Sequence, residues 1–107
     1  MKTVGRFRTA LELMTPTDVP DGAGGVARSH APTASVWALV EPLKALPGQA
    51  MDQEGATITH RITIRFRTDV DSAVRFRHGD RVFRVTAVHD PDGRRRHLVC
   101  LCKEPKA

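Results

Sequence analysis

Residues 56–67, ATITHRITIRFR, alternate without a break. Ala56, Ile58, His60, Ile62, Ile64 and Phe66 take one set of positions, and Thr57, Thr59, Arg61, Thr63, Arg65 and Arg67 the other. Successive side chains on a strand point to opposite faces. A strict repeat of two over this length therefore reads as a long strand with an apolar face and an outer face of Thr and Arg. Such a strand must pair with others and cover its apolar side, which commits the chain to a β architecture; as the longest regular strand it is expected to be an exposed edge that pairs or packs across subunits. His60 falls on the apolar side, where a core or edge histidine is expected rather than a ligand or a base.

The remaining segments agree with that commitment. Residues 6–14, RFRTALELM, place Phe7, Thr9, Leu11 and Leu13 on one side of a half-buried strand. Residues 34–42, ASVWALVEP, are apolar on both sides, as in a central strand, and end at Pro42. Trp37, the only Trp, is expected in the core, with a binding platform as the other reading. After a turn at 68–73, short strands are expected at 74–76 and 81–89, joined through His78-Gly79-Asp80. Asp90-Pro91-Asp92-Gly93 is a turn. A last strand spans 94–103, with Leu98, Cys100 and Cys102 on one side. The fold class is thus all-β: a small antiparallel barrel or sandwich of about six strands, with at most a short helix. Pro47-Gly48-Gln49, within residues 43–55, is the place for its one or two turns.

Residues 15–33, TPTDVPDGAGGVARSHAPT, contain three Pro and three Gly, with Val19 and Val26 as the only aliphatics larger than Ala. This reads as one long loop, mobile in the free subunit and ordered on assembly. Its composition buries too little to order itself, and loops of this length in small domains tend to be functional. The charges of Asp18, Asp21 and Arg28 nearly cancel. The segment therefore suits a steric plug or a docking arm better than an electrostatic clamp, with Asp18, Asp21, Gly24, Gly25, Arg28 and His30 as its candidate residues.

With 107 residues the chain is expected to be a single domain. No apolar run approaches the ~20 residues of a membrane span, and Met1–Arg6 lack a secretory leader's apolar core, so assembly in the cytoplasm and no membrane partner are expected. The formal charge is +5, and all of the excess lies in residues 61–96, which hold ten Arg and five Asp. Arg suits flat bidentate contacts to carboxylates or phosphates. Two readings stay open: a solvated face balanced by a partner's acids, and proximity to nucleic acid. The candidates are Arg61, Arg65, Arg67, Arg94, Arg95 and Arg96. Cys100 and Cys102, two apart on one strand, are poorly placed for a disulfide. A metal site there would need His89 and His97 as well.

No phosphate loop, H-E-x-x-H or G-x-S-x-G occurs. Asp69, Asp71, Asp90 and Asp92 are explained by turns, and the five histidines show no metal-ligand spacing. No enzyme, cofactor or metal is expected.

Three stretches resemble the phage head–tail joining family, the head-completion or stopper proteins. They are Thr59–Arg65, the hairpin Gly79-Asp80-Arg81-Val82-Phe83, and Asp90–Arg96 leading into Leu98–Cys102. The first half matches more loosely, through a basic first strand and Val36–Leu43. Their order and spacing together carry the resemblance. The resemblance implies a β-barrel subunit of a ring in the virion neck, as in siphophages and phage-like gene transfer agents. Its implied partners are a portal or adaptor ring, a tail terminator or tail tube, and packaged double-stranded DNA. A chain of this length has a radius of gyration of ~13 Å, so six touching subunits leave a hole of roughly 30 Å, enough for a duplex; a hexamer is expected. The alternatives are a small-barrel nucleic-acid-binding module and the neighbouring tail-terminator ring protein. The first would want aromatic stacking platforms among its cations, and the outer face of 56–67 has none.

Overall fold

The computed structural model describes residues 7–20, 22–43 and 58–105. The strands are β1 (Thr9–Pro20), β2 (Val26–Pro42), β3 (His60–Arg65), β4 (Arg75–His78), β5 (Arg81–His89) and β6 (His97–Lys103). Every pairing is antiparallel, and the order β1-β2-β3-β6-β5-β4 closes into a barrel. Among the described residues there is no helix. Most of the segment expected to hold a short helical stretch, residues 44–55, lies outside them, as do Ala56, Thr57 and Asp21.

The alternation in the sequence becomes inside and outside. Ile62 and Ile64 of β3 are fully buried, while Arg61 and Arg65 on either side of them are exposed. Leu11, Leu13, Ala38, Phe76, Phe83, Cys100 and Cys102 complete a dry interior. Burial pushes the Cys100 thiol up to about 12 and raises Cys102 as well, so both sulfurs act as small apolar groups.

Four expectations are corrected. Residues 15–33 are not a structureless loop: β1 runs on to Pro20 and β2 starts at Val26, with a continuous register from Met14↔Pro32 to Pro20↔Val26. The composition argument correctly denied this segment a core, but backbone ladder bonds do not require one. Trp37 is 61% exposed, because β2 alternates and Val36 and Ala38 take the inward positions. β3 is no edge, since it pairs with β2 on one side and β6 on the other. The last strand starts at His97, because Arg94–Arg96 belong to the preceding turn.

That turn is tied by carboxylates. Asp90 accepts N–H bonds from Asp92 (3.3 Å), Gly93 (3.0 Å) and Arg95 (2.8 Å). They hold Arg95 at φ 57°, a left-handed conformation costing a non-glycine residue roughly 1–2 kcal/mol.

His60 is buried, with its ring edge-on to Phe83 at 4.9 Å. Thr59 Oγ1 accepts the Glu104 N–H (2.8 Å) and donates to the Cys102 carbonyl (3.5 Å). The Nδ1 of His60, 2.9 Å away, therefore donates to the same hydroxyl, which leaves Nε2 to accept from the Arg81 guanidinium at 3.4 Å. Desolvation lowers the His60 pKa; nearby Glu104 opposes this and Arg81 adds to it. A histidine with a depressed folded pKa costs stability as pH falls from its unfolded value, ~6.5, through the folded one. The carboxylates held low by arginines, Asp69, Asp92 and Glu104, lose their contributions only below the ordinary carboxylate range. The urea midpoint should therefore drop between pH 6.5 and about 5, and His60→Gln should flatten that slope while leaving the drop at lower pH in place. An unchanged slope in the variant would assign it elsewhere.

Candidate functional site

The site is built by the hairpin that leaves the barrel. β1 pairs with β4 only as far as Met14, and β2 pairs with β3 only from Ala38 onward. Beyond these points the two strands continue as a ribbon paired only with each other. Its departure coincides with a register shift: Leu13 faces Ala34 and Met14 faces Pro32, so Thr33 is an extra residue on β2. A bulge of this kind bends the strand and increases its twist. Thr33 Oγ1 bonds to the Leu13 carbonyl at 3.4 Å. The six residues from Thr15 to Pro20 carry the ribbon ~20 Å outward. The molecule accordingly measures 52 × 33 × 27 Å, with a radius of gyration of 14.8 Å, longer than the disc expected from chain length.

Pro16, Pro20 and Pro32 have no N–H to offer, which blunts the ribbon's edges as templates for further pairing. At its tip Gly22 and Gly24 have φ of 81° and 86°, values that strain any other residue. Val19 (47% exposed) and Val26 (68%) face solvent there. Asp18 pairs with Arg28 at 3.5 Å across the ribbon, so its middle is electrically quiet, as expected. At its base, His30 Nε2 donates to the Ala73 carbonyl at 2.9 Å, tying the arm to the turn before β4. Gly25 lies in the tip turn.

Antiparallel order puts the C-terminus of β3, the turns at 66–74 and 90–96, and the arm at one end of the barrel. Arg65, Arg67, Arg94, Arg95 and Arg96 are therefore gathered there, with the Phe66 N–H bonded to the Arg96 carbonyl at 3.1 Å. Arg61 lies four residues back along β3, ~13 Å away. Three of the six candidates are neutralised within the subunit. Arg61 grips Glu41 (3.1 and 3.3 Å), Arg67 grips Asp69 (2.8 Å twice), and Arg96 pairs with Asp92 (2.6 Å). The Arg96 pair, helped by the Arg94 N–H, holds the Asp92 carboxyl down at about 2. Exposed pairs of this type are screened by solvent and contribute little to stability. They shape the surface more than they stabilise it. The side chains of Arg65, Arg94 and Arg95 face no carboxylate among the described residues.

Two features differ from the first expectation or were missed. One is Trp37, placed not in the core but exposed on the outer barrel wall beside half-buried Leu39. The other is a row of cations. Arg75 lies directly opposite Arg84, and Arg84 directly opposite Lys103, on three adjacent strands. Alternation places each of them outward, but only the register makes them neighbours. Among the described residues no group of three or more His, Cys, Asp or Glu is placed to hold a metal.

The molecule is thus a closed barrel that carries a paired arm, a basic end and one exposed Trp on its outer wall. The comparisons with known proteins are more specific. The model of the phage head completion protein family matches residues 2–105, and the chain belongs to that family. It is a structural head-completion protein of a phage-type particle. A chain from the virion of a native gene transfer agent particle is similar over 95% of this chain and 98% of its own, at 28% identity and a TM-score of 0.68. Protein SF1141 from Shigella flexneri 2a, known from a solution structure, is similar over 96% of both chains, at 27% identity and a TM-score of 0.71. No curated protein matches the chain by sequence.

Proposed function

We propose that the subunit closes into a ring, six copies strong, in the neck of a tailed phage or a gene transfer agent. There it seals the head after packaging and joins it to the tail, with the portal or adaptor ring above and the tail terminator or tail tube below. The observation that carries this reading is the arm: a two-stranded ribbon reaching ~20 Å past a closed barrel, with a neutral middle and exposed Val19 and Val26 near its tip. A barrel has no free edges, so copies of this one must associate through side-chain faces and through the arm. Head-to-tail contacts between unlike faces close into rings. Six bodies 27–33 Å across leave a hole of similar width, ~30 Å, which passes a duplex. Arms from several copies would narrow it, so the plug reading is preferred over the docking arm. Arg65, Arg94 and Arg95 offer unpaired charge at the arm end to DNA or to acidic ring neighbours. The ion-paired Arg61, Arg67 and Arg96 fit the walls.

The test is the mass of the purified protein in solution, alone and with its particle neighbours. Ring-sized species are expected in at least the second case; a monomer in both would sink the ring. Trp37→Ser should change folding stability by no more than about 0.5 kcal/mol, since the side chain is exposed. Loss of an aromatic anchor is expected to weaken ring formation at least tenfold, a change of about 1.4 kcal/mol.

A further inference from the structure

Between the base of the arm and the barrel wall lies a half-open cleft of about 390 Å³. Its floor is the row of Arg75, Arg84 and Lys103, and its arm side is Arg28 and His30. Side chains directly opposite on neighbouring strands sit ~5 Å apart, and like charges so placed destabilise a sheet. Arg75 opposite Arg84, with no carboxylate lining the cleft, is a standing repulsion that folding alone does not explain. Among the described residues a second copy offers little to relieve it. Six of the described carboxylates are already in ion pairs, and Asp71 and Asp90 accept turn N–H groups. Among the described acids only Asp80 is uncommitted. The cleft also offers little to an acidic peptide's apolar side chains, because Ala73, Val74 and Val85 are its only apolar residues.

We propose that this cleft is a binding site for the phosphate backbone of duplex DNA, with Arg75 and Arg84 as its principal contacts and Lys103, Arg28 and His30 flanking them. The row spans ~10 Å, enough for more than one phosphate of a strand, and the contact is blind to sequence, as packaged DNA of any composition requires. The inference rests on the reading that DNA passes this subunit. It differs from that reading in placing the main contact on the β4–β5–β6 wall rather than on Arg65, Arg94 and Arg95.

The experiment uses the full chain and a fluorescent 20-base-pair duplex, titrated by anisotropy across a salt series. Compared with the parent are Arg75→Gln/Arg84→Gln, Arg94→Gln/Arg95→Gln, and competition by polyglutamate. The first pair should weaken binding about tenfold or more and reduce the slope of log K against log salt by roughly two, one per lost phosphate contact. Its melting temperature should hold or rise, since a like-charge pair is removed. If Arg94→Gln/Arg95→Gln carries the whole loss, the cleft is overturned and DNA contact survives. If the parent fails to bind duplex at low salt, DNA contact itself falls. Polyglutamate competing as well as DNA, charge for charge, would assign the cleft to an acidic protein instead and overturn the proposal.

Discussion

Ile62→Asp should leave the isolated subunit unfolded at 25 °C, and Thr63→Pro should do nearly the same. Ile62 is fully buried in the barrel, opposite Val40 and Cys100. An aspartate there loses the ~1.5–3 kcal/mol of a buried aliphatic side chain and adds an unpaired buried charge, among the costliest of single changes. Set against the roughly 5–15 kcal/mol that keeps a domain folded, that is most or all of the margin. Thr63 tests the topology. It faces outward, so its side chain matters little, but its backbone lies between Leu39 of β2 and Val99 of β6. Whichever neighbour its N–H serves, proline removes a ladder bond from a strand with no free side, a position where proline is essentially not found. Circular dichroism and urea titration decide it: Thr63→Ala should stay within about 1 kcal/mol of the parent, and a native urea midpoint for Thr63→Pro would show that β3 has a free edge.

Deleting Asp18–His30 and closing the stump with a short glycine turn should leave folding intact and abolish delivery. No core residue lies in the deleted stretch, and the barrel's pairings of β1 with β4 and β2 with β3 stop short of it. The subunit should therefore melt cooperatively, near the parent's temperature. Particles carrying it should lose DNA transfer by orders of magnitude, and the way they fail discriminates between roles. Heads that empty after packaging would mark the arm as a plug. Heads that keep their DNA but lack tails would mark it as a docking arm. Particles that deliver normally would reduce the arm to decoration. Because the deletion also removes Arg28 and His30 from the cleft, the Arg75→Gln/Arg84→Gln variant is the control that separates arm from cleft.

The barrel core was legible because its signal is local. Ile62 and Ile64, or Leu98, Cys100 and Cys102, announce an inward face by a repeat of two that needs no knowledge of the partner strand. The turns at His78–Asp80 and Asp90–Gly93 were legible for the same reason, through glycine and Asx chemistry. Trp37 misled because Val36–Val40 is apolar at every position. Periodicity carries no phase there, and the register with β1 and β3 decides which side is buried. For the six candidate arginines, charge counting gave only the segment, residues 61–96, and the strand order decides that five of them meet at one barrel end. The count did not show that Arg61, Arg67 and Arg96 have partners, two of them nearby in sequence and one, Glu41, twenty residues away.

By itself the sequence determined that the chain is all-β, where most strands lie, which side chains fill the interior, and which family it resembles. These follow from alternation, turn residues and the order of motifs along the chain. Only the tertiary structure decided that residues 15–33 form a paired arm, that β3 is internal, and that Arg75, Arg84 and Lys103 form one row. The reason is common to all three. Backbone ladder bonds are the same for every residue that has an N–H, and cross-strand neighbours are set by register. Neither leaves a mark on the order of amino acids within a single strand.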